Sequence, residues 1–318
     1  MKKRLHGPIL GVVTIIACLL NTAICSVPIL LIAALKAVIP ANRWRRMCTR
    51  ILNFLAGCWV AFNKALQRFL LRIKWEVNGL ENLPRSGWYL VLANHQSWVD
   101  IVVLQNIFHR RIPFLKFFLK KELFWYPVLG LCWWALDFPF IKRYSPKFLA
   151  KNPHLKGKDI ETTLKACKKF SELPVSVMNF VEGTRFTKEK HAALKSPYAN
   201  LLRPRAAGIA LVISGLSDKL QRILDVTIVY PGQERGFWPF VCGEIREIKV
   251  HINALPVTDD LIGDYGVDRK FRVQFHRWLN RLWLEKDRRI ERMLGRADVD
   301  LEQFIPAAKQ QVAEAVEG

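Results

Sequence analysis

His95 and Asp100 are the two residues of this sequence best placed by type and spacing to move a proton. They stand in the run Asn94-His95-Gln96-Ser97-Trp98-Val99-Asp100, directly after the apolar segment Trp88–Ala93. In an unbroken ideal helix, residues five apart point about 140° away from each other around the axis. The pair meets only if His95 lies in a loop or first turn and Asp100 sits one turn into a helix. A strand-to-helix junction supplies that geometry. A carboxylate in that place fixes the imidazole tautomer and stabilises the imidazolium, making His95 a general base and Asp100 its orienter. A histidine without such a partner at a strand end more often serves packing alone. The chain contains no G-x-S-x-G segment, and therefore offers no serine nucleophile of that type. The nucleophile is expected to be a hydroxyl group of the substrate, deprotonated by the imidazole.

Three short segments could hold an anion beside that base. Phe180-Val181-Glu182-Gly183-Thr184-Arg185 follows a second apolar run. Its glycine allows close backbone approach, and its arginine can grip a phosphate or carboxylate in a bidentate manner. Lys120-Lys121-Glu122-Leu123 and Phe140-Ile141-Lys142-Arg143 add further cations. Each segment alone is an ordinary turn or a solvated charge run; what gives them weight is their occurrence in one chain with His95 and Asp100.

The elements that would position these residues are short. Residues 73–77 and Trp88–Ala93 are expected as strands, with turn signals at Asn78-Gly79 and from Pro84 to Gly87 between them. Residues 159–172 are expected as a helix and 175–181 as a buried strand. Residues 206–213 are apolar without a clear period and stay open between helix and strand. Strands are expected at 226–230 and 244–252, and a long basic amphipathic helix over 268–294. Strands alternating with helices predict an α/β domain around a partly parallel sheet. The apolar stretch Leu123–Leu136 is too short to span a bilayer. It is read as core packing, or else as a membrane-dipping or acyl-lining surface.

The N-terminal quarter is organised differently. The chain of 318 residues carries 49 Lys+Arg against 27 Asp+Glu, a net charge of +22. Twelve of those cations precede the first acid, Glu76. Residues 7–35 carry no charge and form about 42 Å of straight helix, against a hydrocarbon core of about 30 Å. The run lacks the short apolar core and cleavage pattern of a signal peptide. Asn21, Thr22, Ser26 and Pro28 interrupt its middle and both flanks are basic, so a spanning helix and a re-entrant hairpin are both open. From Arg43 to Arg72 apolar residues recur at steps of three and four, predicting an amphipathic helix whose basic face meets anionic headgroups.

Composition excludes wholesale disorder and fibrous folds. Seven scattered cysteines without C-x-x-C spacing support neither a zinc site nor a disulfide framework. A basic, aromatic-rich chain could bind nucleic acid, but that reading leaves the uncharged N-terminal run and the His95/Asp100 pair unexplained. A structural membrane-surface protein leaves the motif series unexplained.

Taken in order, these segments resemble the PlsC-type lysophosphatidic acid acyltransferase family, and the wider pattern looks like a YihG-type bacterial branch of it. The family's N-H-x-x-x-x-D is met by Asn94, His95 and Asp100. K-K-x-L is met by Lys120, Lys121 and Leu123. F-I-x-R is met by Phe140, Ile141 and Arg143, with Asp137 where a glycine is usual. F-P-E-G-T-R is met except for Val181 in place of proline, and Thr227 to Pro231 matches the fourth motif loosely. The resemblance covers about residues 75–235. It implies the glycerolipid acyltransferase fold, α/β with a mixed, partly parallel sheet flanked by helices, preceded by an N-terminal hydrophobic helical membrane anchor. It implies acyl transfer from acyl-CoA or acyl carrier protein to the sn-2 hydroxyl of lysophosphatidic acid, with another lysolipid such as lysophosphatidylglycerol as the alternative acceptor. His95 would be the base and Asp100 its partner. Asn94, Lys120, Arg143, Glu182, Gly183, Thr184 and Arg185 would bind the acceptor. Neither a metal nor a prosthetic group is called for. The expected partners are the lysophospholipid, the acyl donor and an anionic membrane surface, not nucleic acid. The expected organisation is an anchor at 1–40, an interfacial helix at 41–72, the acyltransferase domain at 73–295 and a helical or flexible tail at 296–318. The expected location is the cytoplasmic face of a bacterial inner membrane.

Overall fold

A computed structural model describes residues 6–142, 158–232 and 235–296. Arg143 and residues 297–318, which include nearly all of the expected tail, lie outside the described residues.

The uncharged N-terminal run forms one continuous helix, α1 (His6–Val38), which passes through Pro28 without breaking. The run itself therefore contains no hairpin. α1 forms one with α2 (Asn42–Leu70), which returns after a short connection and packs along it. The polar residues that looked like interruptions face the partner helix. Asn21 donates to Trp59 O at 3.1 Å and to Asn63 Oδ1 at 2.9 Å, and Trp59 Nε1 donates to Thr22 Oγ1 at 3.1 Å. Thr14 and Ser26 bond backbone carbonyls of their own helix and are buried. Many of the large aliphatic side chains of α1 point away from the protein, Ile24 being 70% exposed and Val38 75%, while Ile29 is buried. Polar side chains inside and leucine, isoleucine and valine outside reverse the usual order for a helix in water. The reversal matches a lipid environment, where the protein side is the only place a polar side chain finds a partner. Among the described residues, α1 is the one helix long and apolar enough to cross a membrane.

The α/β unit follows in the order β1 (Lys74–Asn78), β2 (Trp88–Ala93), α3 (Val99–Phe108), β3 (Leu115–Phe117), β4 (Leu119–Lys120), a 3₁₀ turn (Lys121–Trp125), α4 (Leu129–Ala135) and β5 (Phe140–Ile141). It continues with α5 (Lys158–Phe170), β6 (Ser176–Phe180), α6 (Lys188–Ala193), α7 (Ala207–Gly215), β7 (Leu220–Val229), α8 (Phe237–Val241), β8 (Glu247–Pro256) and α9 (Arg269–Met293). Six strands form a mixed sheet in the order β1-β8-β7-β2-β6-β3, in which only the β7/β8 pair is antiparallel. β4 and β5 form a separate parallel ladder. Residues 206–213, open from sequence, are helix α7. Nearly all of its residues are apolar or glycine, the half-buried Leu211 as well as the buried Ile209, Ala210, Val212 and Ile213, which removes the periodicity that would have marked it. β7 begins six residues earlier than expected because its exposed start, Gln221 and Arg222, masks the strand pattern.

β2 explains the layering. Leu90 and Leu92 project into a core shared with α7 and α9, and Tyr89, Val91 and Ala93 into a core shared with α3. Successive residues of a strand face opposite sides, so a strand buried on both faces reads as one apolar run. A third cluster joins Ile29 and Ala33 of α1 and Leu52 and Ala56 of α2 to Cys132, Ala135 and Leu136. The stretch 123–136 thus packs partly into core, and it also leaves Trp125, Tyr126 and Trp134 exposed.

Candidate active site

The carboxyl ends of β2, β6 and β7 lie side by side, with Ala93 registered against Phe180 and against Val226. Ligand sites in open α/β sheets favour that end. The Asn94–Ser97 loop leaves β2 there, and α3 begins at Val99 with Asp100 in its first turn. A carboxylate in a first helical turn faces unpaired N–H groups and the positive end of the helix dipole. Asp100 Oδ2 accepts from Gln96 N at 2.7 Å and Ser97 N at 2.8 Å, and lies 2.9 Å from His95 Nδ1. Asp100 Oδ1 accepts from the Tyr230 hydroxyl at 2.6 Å. Asp100 is fully buried.

The same arrangement fixes the imidazole. The Phe180 ring stacks on it, centroids 3.7 Å apart and 8° from parallel. The His95 backbone is clamped on both sides by the segment after β6: its N–H donates to Glu182 Oε1 at 2.9 Å, and Phe186 N donates to its carbonyl at 2.7 Å. The side chain is 12% exposed. Its Nδ1 is held by Asp100, and its Nε2 has no partner among the described residues. An imidazole oriented by a carboxylate, with one nitrogen left for an incoming hydroxyl, can act as a general base.

The nine residues expected at the site divide by task. Asn94 is fully buried, donates to Ile228 O at 2.9 Å and accepts from Ile228 N at 2.8 Å. It extends the β2/β7 pairing by one step and presents no atom to a ligand. Glu182 is also buried, and its second oxygen accepts from Leu202 N at 2.8 Å. Burial pushes its carboxyl up to about 8, opposed by the two backbone N–H donors. Both residues spend their side-chain hydrogen bonds on holding loops. Gly183 has φ +69°, and a Cβ there would lie 2.9 Å from Arg205 Cδ, so this turn requires glycine. Thr184 Oγ1 accepts from Lys190 Nζ at 2.7 Å. The Arg185 guanidinium lies over the Trp98 ring, 4.5 Å from its centroid, bringing it to the same loop as His95. Lys120 is exposed and pairs through its backbone with Ile141, so the ladder of β4 and β5 ties K-K-x-L to F-I-x-R. Arg143 lies outside the described residues.

Three residues escaped the reading of the sequence. Tyr230 is buried and far above the usual tyrosine range, first through burial and then through the Asp100 charge, so its hydroxyl remains a donor. Arg205 passes beside Gly183 and is exposed. Lys286 of α9 rises from the opposite face to bond Val226 O and Leu92 O and to pair with Asp225 at 2.6 Å. Only the position of Tyr230 beside Pro231, in the loose fourth motif, pointed toward one of them. No group of three or more His, Cys, Asp or Glu among the described residues could hold a metal ion.

Residues 74–229 match the Acyltransferase family. Human 1-acyl-sn-glycerol-3-phosphate acyltransferase gamma is 25% identical over 233 residues, covering 69% of this chain and 57% of its own length. 1-acyl-sn-glycerol-3-phosphate acyltransferase 3 of Arabidopsis thaliana is 28% identical over 225 residues, covering 64% of this chain and 53% of its own. The chain thus spans little more than half the length of these relatives. The crystal structure of PlsC, the 1-acyl-sn-glycerophosphate (LPA) acyltransferase from Thermotoga maritima, superposes with a TM-score of 0.44 at 16% identity, covering 87% of this chain and 97% of that one.

Proposed function

We propose that this protein transfers a fatty acyl group from a thioester donor, acyl-CoA or acyl carrier protein, to the sn-2 hydroxyl of lysophosphatidic acid, giving phosphatidic acid. The observation that carries the reading is the His95–Asp100 contact at 2.9 Å with Nε2 left unpartnered. Nε2 takes the proton of the hydroxyl as its oxygen attacks the thioester carbonyl. The tetrahedral intermediate collapses with loss of the thiolate, which takes the proton back from the imidazolium. The Asp100 carboxylate offsets the transient positive charge. Arg185, Thr184 and Lys120 supply the cationic and polar surface for the acceptor phosphate, together with Arg143, and Gly183 permits close backbone approach. Asn94 and Glu182 act by holding the His95 loop.

Membrane residence fits both substrates. The outward aliphatic face of α1 and the exposed Trp125, Tyr126 and Trp134 support insertion, and the basic face of α2 supports contact with anionic headgroups. Placement at the cytoplasmic face of a bacterial inner membrane, within a YihG-type branch, is part of the same reading and rests on the motif pattern. The test is thiol release from a long-chain acyl-CoA by full-length protein in nanodiscs. It is run with lysophosphatidic acid, with lysophosphatidylglycerol and with neither, and with acyl carrier protein donors in parallel. Release that depends on lysophosphatidic acid and is lost in folded His95→Ala is the expected result. Equal activity of His95→Ala on every donor and acceptor would sink the mechanism.

A further inference from the structure

A cleft of about 610 Å³ lies at the opposite end of the sheet from His95. It opens beside Pro174 and Val175, where β6 begins, whereas Phe180 at the other end of β6 stacks on His95. Five residues of strand separate the two places by about 16 Å. The cleft is walled by the end of α1, the start of α2, the end of α4 and α5.

Its lining is strongly cationic: Lys36, Arg45, Arg46, Lys116, Lys165 and Lys169, against the carboxylates of Asp137 and Glu172. Asp137 is the internal counter-ion, with Lys36 at 2.7 Å and Lys169 at 2.6 Å, and Lys165 pairs with Glu161 at 2.6 Å. Its φ of +61° explains why the resembled pattern has glycine at this position. An aspartate there accepts an unfavourable backbone conformation and sets a carboxylate between two lysines.

Lys116 is left over. Lys116 is 5% exposed and lines the cleft, yet among the described residues no carboxylate lies within 4 Å of it; its ammonium sits 5.9 Å from the centroid of the Phe170 ring. A buried ammonium without a paired anion is costly. Burial pulls it down to about 8, and the Asp137 charge offsets this only in part. Arg45 and Arg46 are likewise without an ion pair among the described residues. An anion in the cleft would give buried Lys116 its missing partner, with the exposed Arg45 and Arg46 on the same lining.

We propose that this cleft is a second phosphate-binding site, taking a phosphomonoester or phosphodiester group apart from the one that would bind beside His95. Its position at the junction of α1 and α2 opens it to a lipid headgroup as well as to a soluble phosphate. The proposal concerns binding only, so its failure would leave the proposed acyl transfer untouched.

The experiment is equilibrium dialysis of radiolabelled inorganic phosphate against full-length protein in a non-ionic detergent, repeated with dihexanoyl phosphatidic acid. Arg185→Ala is expected to retain the cleft site. Lys116→Met should weaken it at least about tenfold, and exposed Lys169→Met by about threefold. Asp137→Asn, which removes the competing carboxylate, should tighten it by about threefold. Should Lys116→Met fail to fold, the other two variants decide, because they move affinity in opposite directions. Wild-type affinity in folded Lys169→Met and Asp137→Asn overturns the proposal. Displacement of the lipid by inorganic phosphate would identify the phosphate group itself as the ligand; lipid binding without such displacement would identify the headgroup with its glycerol.

Discussion

Tyr230 donates to Asp100 Oδ1 across 2.6 Å while Asp100 Oδ2 holds His95 Nδ1 at 2.9 Å, so one carboxylate joins the end of β7 to the imidazole at the end of β2. Tyr230 touches no reacting atom in the proposed mechanism; it positions the group that does. Tyr230→Phe keeps the buried ring and removes one hydrogen bond to a charged acceptor, a loss of about 1.5–3 kcal/mol where the geometry is good. The expected outcome is a fall in kcat of about ten- to a hundredfold, with KM for both substrates within about twofold. A parallel rise in KM, or an unfolded variant, would assign Tyr230 to packing instead.

Glu182 makes stability depend on pH. Its folded-state carboxyl is raised to about 8 by burial, above its ordinary value of 4.5. The folded protein therefore holds this proton through a window in which the unfolded chain has lost it. That contribution is full below about pH 4.5 and disappears as pH rises toward 8. Glu182→Gln removes the titration. The difference in Tm between wild type and Glu182→Gln should shift in favour of the variant from pH 5 to pH 8. A difference constant across those pH values would mean that Glu182 stays ionised.

Lys286 and Asp225 form a pair with neither side chain exposed, placed directly under the ends of β2 and β7. Lys286→Met leaves Asp225 with Arg289 alone, at 2.8 Å. Removing one partner of a buried pair costs about 3–5 kcal/mol; Arg289 brings the expectation to the lower end. Lys286→Met/Asp225→Asn should recover at least half of that loss in denaturant unfolding. No recovery would show that Lys286 acts through the two carbonyls and not through the carboxylate.

How much of this was legible depends on the range of each interaction. β2 was readable to the residue because burial on both faces makes a continuous apolar run between turn signals. Asp268, at the head of α9, was readable as a boundary because capping is local: its side chain accepts from Lys270 N and Phe271 N. The His95–Asp100 contact was readable because both ends lie on one strand-to-helix junction. Tyr230 and Lys286 reach that junction from positions far along the chain, and no spacing rule connects them to it. Asn94 and Glu182 illustrate a different limit. Their types suit ligand binding and loop holding equally well, and only their burial and backbone partners separate the two. The hairpin of α1 and α2 was hidden because a polar stripe on an apolar helix looks like a break until its partner helix is seen.

That stripe leads to a prediction about the membrane. If lipid covers the aliphatic face of α1, a charge placed there should release the protein, and an apolar residue on the opposite face should not. A lysine in the middle of a membrane-embedded helix costs about 2.5–3.5 kcal/mol. Leu20→Lys/Ile24→Lys should move most of the protein from the floating to the soluble fraction in a liposome flotation assay. Asn21→Leu removes the bonds to Trp59 and Asn63 but adds no charge, so it should float as wild type does. It should nevertheless loosen the hairpin, which faster amide exchange in α2 around Trp59 would report. Retention of the double lysine variant on neutral and anionic liposomes alike would mean that this face is not the one in contact with lipid.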